Sequence, residues 1–99
     1  MSDYVILTSK PGQFRTELSP GLVPVEAYDY VSQGKLRAQF VIAELQHETR
    51  LRVVDVAAAP ILNLVPSKFL PRFANVEAAR AELEHLTRFR GVQSSLIRQ

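Results

Sequence analysis

Residues 25–56 hold the pattern that most constrains the fold of this chain. Three runs rich in apolar and β-branched residues, at 25–31, 36–45 and 50–56, are separated by the short polar segments 32–35 and 46–49. Apolar runs of this length between polar turns are typical of strands joined by tight hairpins. The pattern therefore predicts a three-stranded antiparallel meander.

Pairing arithmetic within the meander predicts which face of the sheet is buried. With Val31 opposite Leu36, regular alternation places Phe40 and Ile42 on one face, in register with apolar residues of the first strand. The second predicted hairpin gives the same assignment, so we expect this face to form the core. The opposite face is expected to be exposed and to carry Tyr28, Tyr30, Arg37 and Arg52.

The segments before and after the meander predict further elements. Residues 3–18 fit a hairpin around Lys10-Pro11-Gly12, because Pro fixes φ and Gly accepts a positive φ at the centre of a type II turn. Residues 76–89 fit a helix with one apolar stripe, and Asn75 is a suitable N-cap for it.

Residues 57–73 are rich in proline and are harder to assign. Each proline removes a backbone donor and disfavours helix in its predecessor, so a regular helix is not expected here. A short strand at 61–64 and a single helical turn near 67–70 are the elements that this segment allows.

The whole chain is predicted to be one α+β domain, since 99 residues suit a single core. An antiparallel sheet of four to six strands, either open or curled into a partly open barrel, would carry the C-terminal helix across the face of Phe40 and Ile42. Residues 1–92 form that domain in this prediction. Residues 93–99 are expected to fray as a C-terminal tail.

Little in the sequence points to catalysis or to a bound metal or cofactor. The chain has no cysteine, so disulfides, thiolate metal sites and a cysteine nucleophile are excluded. The two histidines, His47 and His85, stand beside no recognisable nucleophile. Glu44 and Glu48 flank His47, but a polar loop explains this group more simply than a metal site does. We expect no enzyme, no cofactor and no metal.

The apolar runs are far shorter than the ~18 residues of a membrane-spanning helix. The first residues also lack the basic and apolar regions of a signal peptide. The sequence therefore predicts a cytoplasmic protein without membrane association.

The most suggestive binding segment is residues 65–73, where two cations flank large apolar side chains and two prolines stiffen the chain. Its candidate partner-binding residues are Lys68, Phe69, Leu70 and Arg72. Rigid aromatic anchors lose little entropy on binding, so this segment and the adjacent sheet edge could dock a protein partner. Alternatively, Phe69, Leu70 and Phe73 close the open end of a small core.

Single-stranded nucleic acid is the alternative partner. Tyrosines and arginines on an open sheet can stack on bases and contact phosphates, and Tyr28, Tyr30, Arg37 and Arg52 are the candidate residues. Against this, the net charge is only +2, and no dense basic block is present. A non-catalytic protein-interaction module is the preferred hypothesis, and the oligomeric state is left open.

Overall fold

A computed structural model of the chain describes residues 3–57, 61–88 and 94–99. These residues form seven strands, one 3₁₀ turn and one α-helix. In chain order they are β1 (Asp3–Ser9), β2 (Phe14–Glu17), β3 (Leu22–Ser32), β4 (Lys35–Leu45), β5 (Arg50–Asp55), β6 (Ile61–Pro66), the 3₁₀ turn (Ser67–Phe69), α1 (Val76–Arg88) and β7 (Ser94–Arg98).

The strands form two open antiparallel sheets. The four-stranded sheet has the order β1-β4-β3-β7, and the three-stranded sheet has the order β2-β5-β6. With α1 packed on one face of the larger sheet, the predicted α+β class with a single helix over one sheet face is confirmed.

The hairpin between β3 and β4 forms as predicted at its turn and differs beyond it. Gln33 and Gly34 both have positive φ, as the central residues of a two-residue hairpin turn require. Val31 does face Leu36, but Tyr30 faces Ala38, so β4 carries one extra residue at a β-bulge.

The bulge shifts the pairing by one residue from Tyr30 to Glu26 and reverses the predicted faces of β3 there. A second irregularity, at Val25, restores the original register from Pro24 to Leu22. Phe40 is paired with Tyr28, whereas regular alternation predicts Ala27. Phe40 and Ile42 do pack beneath α1, as predicted, but Tyr28 and Tyr30 pack beside them. The prediction that the tyrosines face solvent is therefore wrong.

The second predicted hairpin, between β4 and β5, is also wrong. β4 is flanked by β1 and β3, so it has no free edge, and β5 pairs with β2 and β6 in the other sheet. The face of β4 that points away from α1 is also apolar, and its side chains must be buried against a second layer. Leu51 of β5 and Val65 of β6 supply it against Ala43 and Leu45.

The predicted hairpin at 3–18 is limited to its turn. Gly12 has a φ of +76°, and Gln13 N donates to Lys10 O at 3.0 Å, as in a type II turn. Beyond the bridge between Lys10 and Phe14 the two strands separate, and they enter different sheets.

The four-stranded sheet is thus covered on both faces. On one face Val5 and Leu7 pack with Leu51 of the smaller sheet, and on the other Phe40 and Ile42 pack with α1. Strands buried on both faces read as continuous apolar runs, which explains the sequences of β1 and β4.

Helix α1 begins and packs as predicted. Asn75 accepts a hydrogen bond from Ala78 N through its side-chain oxygen at 2.8 Å. Ala79 and Leu83 are fully buried against the sheet, whereas Leu86 is half exposed. No helix among the described residues is long and apolar enough to cross a membrane.

The C-terminal segment differs from the predicted frayed tail. Ser94–Arg98 forms β7, which pairs antiparallel with β3 and places Leu96 against the cluster beneath α1. The short strand predicted at 61–64 and the helical turn predicted near 67–70 are both present, as β6 and the 3₁₀ turn.

A buried carboxylate links α1 and β7 to the larger sheet. The side chain of Glu26 is 3% exposed and accepts hydrogen bonds from Arg80 Nε at 2.7 Å and from the Tyr28 hydroxyl at 2.7 Å. A second guanidinium nitrogen of Arg80 also binds it, and Arg98 Nη2 lies at 3.1 Å. Hydrogen bonding from Arg80 lowers the pKa of Glu26 from 4.5 to about 2, although burial acts in the opposite direction.

Candidate protein-interaction surface

The four predicted partner-binding residues occupy different environments in the 3₁₀ turn and the residues after it. The ring of Phe69 is 70% exposed, and Lys68 Nζ lies 5.6 Å from its centroid. Leu70 is partly buried against the cluster between the two sheets. Leu70 therefore caps the core, and Lys68 and Phe69 face solvent.

Arg72 is held by intramolecular ion pairs. One guanidinium nitrogen binds Glu48, and the other lies 3.3 Å from Asp3 Oδ2. The hydrogen bonds from Arg72 and from the Ser67 hydroxyl lower the pKa of Glu48. Glu48 and its neighbour Thr49 both bind the fully buried Ser67, so this network fixes the 3₁₀ turn against the loop after β4.

Strand β6 forms an open edge of the three-stranded sheet, and the sequence did not predict which strand would form this edge. β6 pairs with β5 on one side, and its other side has no neighbouring strand among residues 3–57, 61–88 and 94–99. Leu62 and Leu64 are 48% and 52% exposed, and Ile61 is exposed as well. Their apolar character is visible in the sequence, but which strand ends a sheet depends on long-range pairing.

We call the solvent-facing side of the three-stranded sheet its outer face. Because Leu51 and Val65 turn inward, alternation places Arg50, Arg52 and Val54 of β5 on the outer face. Register brings Leu64 opposite Arg52 and Leu62 opposite Val54. The two exposed leucines thus lie directly beside a basic strand.

Charge on the outer face is predominantly positive. From β2, Arg15 lies opposite Val54 and Glu17 lies opposite Arg52. Glu17 is within 3.1 Å of Arg15 and 3.2 Å of Arg52, so one carboxylate is shared between two guanidinium groups. Together with Arg50, the face carries three arginines and one acid among its described residues.

The predicted nucleic-acid face does not form. Tyr30 is 5% exposed, and Tyr28 is partly buried beside α1. Arg37 is exposed at the bulge of β4, whereas Arg52 lies on the other sheet. Nucleic-acid binding itself stays an untested prediction, but the four residues named for it do not share a surface.

The histidines lie at two separate places on the surface. His47 is exposed in the loop after β4, where its Nδ1 is 3.0 Å from Glu48 O, and His85 is exposed on α1. Within the described ranges, no group of three or more His, Cys, Asp or Glu side chains could hold a metal ion.

Comparisons of the chain with known protein families, with curated proteins and with solved structures find no match.

Proposed function

We propose that this chain is a non-catalytic protein-interaction module that binds an extended partner segment along β6. The observation that carries the proposal is an open sheet edge whose apolar side chains are half exposed and border a row of arginines. An edge strand presents unpaired N–H and C=O groups that another strand can pair with. Addition of a strand to such an edge is a recurring mode of peptide recognition.

The chemistry of the outer face specifies the partner segment. Leu62 and Leu64 lie on one side of β6 and favour apolar partner residues at alternate positions. Arg50 and Arg52 on the neighbouring strand favour Asp or Glu, because complementary charge steers association. We therefore expect an extended segment in which apolar and acidic residues are interspersed.

Phe69 extends this surface along the chain, since the 3₁₀ turn follows β6 directly. An exposed aromatic ring is a common anchor in protein interfaces. Arg72 is less suited to this role, because binding a partner would require it to leave Glu48 and Asp3.

Selection from a random peptide library on the folded protein tests the proposal. We expect enrichment of extended sequences that combine apolar and acidic residues. The variant Leu62→Ser with Leu64→Ser should bind a selected peptide at least about tenfold more weakly, because two half-buried apolar contacts are lost. Arg50→Gln with Arg52→Gln should weaken binding and reduce its salt dependence.

The matched control is Leu36→Ser with Ile97→Ser, which removes two exposed apolar side chains from the larger sheet. It should leave the peptide affinity unchanged. Equal binding by the Leu62 and Leu64 variant, or no enrichment above background, would contradict the proposed site. Phe69→Ala should leave the Arg72 network intact and tests the role of the ring. Weaker peptide binding would identify Phe69 as an anchor, and unchanged binding would show that it contributes nothing.

A further inference from the structure

A cavity of about 340 Å³ lies between the larger sheet and the last turn of α1. Its walls include Tyr30, Ala38 and Phe40 from the hairpin of β3 and β4, and Leu86 and Thr87 from the helix. It is on the helix side of the larger sheet, whereas the outer face belongs to the three-stranded sheet. Its volume is at the lower end of the range for small-molecule sites, so only a small ligand would fit.

The cavity wall includes two cations. Lys10 and Arg37 both line it, and neither is ion-paired with an acid among the described residues. Arg37 donates Nε to Ser32 O at 3.3 Å, which leaves its other N–H groups available to a ligand. The described residues of the lining include no Asp or Glu, although the chain as a whole has ten. This local excess of positive charge favours an anion.

A buried hydroxyl without a partner supports a ligand at the same place. Tyr30 lines the cavity, and its hydroxyl oxygen is buried with no hydrogen-bond partner among the residues that the structure describes. Buried polar groups in folded proteins are nearly always satisfied, so an orphan beside a cavity needs an explanation. By contrast, the Thr87 hydroxyl already donates to Leu83 O at 2.8 Å.

The apolar part of the wall limits the ligand further. Phe40, Ala38 and Leu86 offer hydrocarbon surface, which an inorganic anion would not use. The carbonyl end of a helix carries partial negative charge, so the acid group would avoid Leu86 and Thr87 and favour Lys10 and Arg37. We infer that this cavity is a binding site for a small organic carboxylate, with its apolar body against Phe40 and Leu86.

Benzoate and its neutral isostere benzamide are the probes that test this inference. In a titration of ¹⁵N-labelled protein, benzoate should shift the amide resonances of Thr8, Lys10, Ala38 and Phe40 with a dissociation constant of about 1 mM. Benzamide should bind at least about tenfold more weakly, since it lacks the charge that Lys10 and Arg37 recognise.

Two sets of variants localise the site. Lys10→Gln with Arg37→Gln should weaken benzoate binding about tenfold or more, because both charged donors are lost. Arg15→Gln with Arg52→Gln removes two cations from the outer face and should leave the affinity for benzoate unchanged. A loss of affinity in this control would mean that benzoate responds only to overall charge.

Tyr30→Phe gives a readout that a purely structural role would not produce. Removing an unsatisfied buried hydroxyl should maintain or raise the free energy of unfolding of the free protein. The same change should weaken benzoate binding severalfold, because we expect the bound carboxylate to accept a hydrogen bond from this hydroxyl. Equal affinity for benzoate and benzamide, resonance shifts away from the cavity, or no shift at about 20 mM benzoate would each overturn the inference.

Discussion

The carboxylate of Glu26 joins three elements at a single residue. It lies on β3, binds Arg80 from α1 and pairs with Arg98 from β7. In the register predicted from the sequence, Glu26 lies on the exposed face, where a charged side chain requires no partner. The ion pair could not be predicted, because it depends on the bulge that turns Glu26 beneath the helix and on a contact between residues 54 positions apart.

The lowered pKa of Glu26 predicts acid-sensitive stability. Its pKa is about 2 in the fold and 4.5 ordinarily, so the unfolded chain takes up the proton first as the pH falls. The stabilisation is complete above about pH 4.5 and is lost towards pH 2. A pKa shift of this size corresponds to a stabilisation of at most about 3 kcal/mol. The actual stabilisation is smaller, because water screens the charge of the partly exposed Arg80.

Urea unfolding between pH 2 and pH 7 checks this prediction. The variant Glu26→Gln should lose most of the decline that the unchanged protein shows below pH 4.5. Glu48→Gln is the comparison, because the pKa of Glu48 is also lowered but its carboxylate is exposed, so a smaller effect is expected. An acid decline in Glu26→Gln as steep as in the unchanged protein would contradict the role of this carboxylate.

At the scale of elements, local sequence signals predicted several features correctly. The turn at 32–35, the cap at Asn75 and the apolar stripe that includes Ala79 and Leu83 are each set within a few residues. The bulge in β4 has no such local signature. One extra residue there exchanged the faces of β3, so the tyrosine-bearing face became core and the nucleic-acid hypothesis lost its surface.

The second sheet was missed for a different physical reason. Residues 41–45 are apolar on both sides of the strand, which indicates a strand covered on two faces. Local turn chemistry favoured a hairpin at 46–49, but β1 and β3 occupy both edges of β4. Which strands compete for an edge is decided by contacts distant in sequence, so the exposed edge at β6 could not be assigned from the sequence alone.

The strand β7 gives a prediction at this scale. Leu96 packs beneath α1 and Ile97 is half exposed on the opposite face, so Leu96→Ala should cost about 1 kcal/mol and Ile97→Ala less than half of that. Deleting residues 94–99 should cost more than either substitution, because the pairing with β3 and the ion pair of Arg98 are lost as well.

Urea unfolding of the three variants measures these costs. Hydrogen exchange should accelerate at β3 amides in the deletion variant. If the deletion leaves the free energy of unfolding unchanged, the segment is the frayed tail expected from the sequence and not a strand of the sheet.

At the scale of the whole molecule, the two clusters of buried side chains share strands β1, β3 and β4. In β4, Ala43 and Leu45 contribute to the cluster between the sheets, and Ile42 contributes to the cluster beneath α1. Alternate residues of the same strand therefore serve opposite sides of the sheet. Disruption of either cluster should affect β1 and β4, and through them the other cluster.

This coupling predicts cooperative unfolding. Leu51→Ala and Leu83→Ala each truncate a fully buried side chain, one in each cluster, and each should cost about 3 kcal/mol. Both variants should still unfold in a single transition, by far-ultraviolet circular dichroism and by tyrosine fluorescence alike. Leu18→Ala, at an exposed site, should cost less than about 0.5 kcal/mol. Two separate transitions in Leu83→Ala would mean that the smaller sheet is stable without the helix.

The arginines beside β6 also affect self-association of the protein. An open apolar edge strand can pair with the same strand of a second molecule, and such pairing can lead to aggregation. Two copies meeting edge to edge would bring like-charged guanidinium groups together, at a cost that an acidic segment would not incur. The arginines that are proposed to attract an acidic partner segment should therefore also oppose self-association, and added salt should weaken this effect.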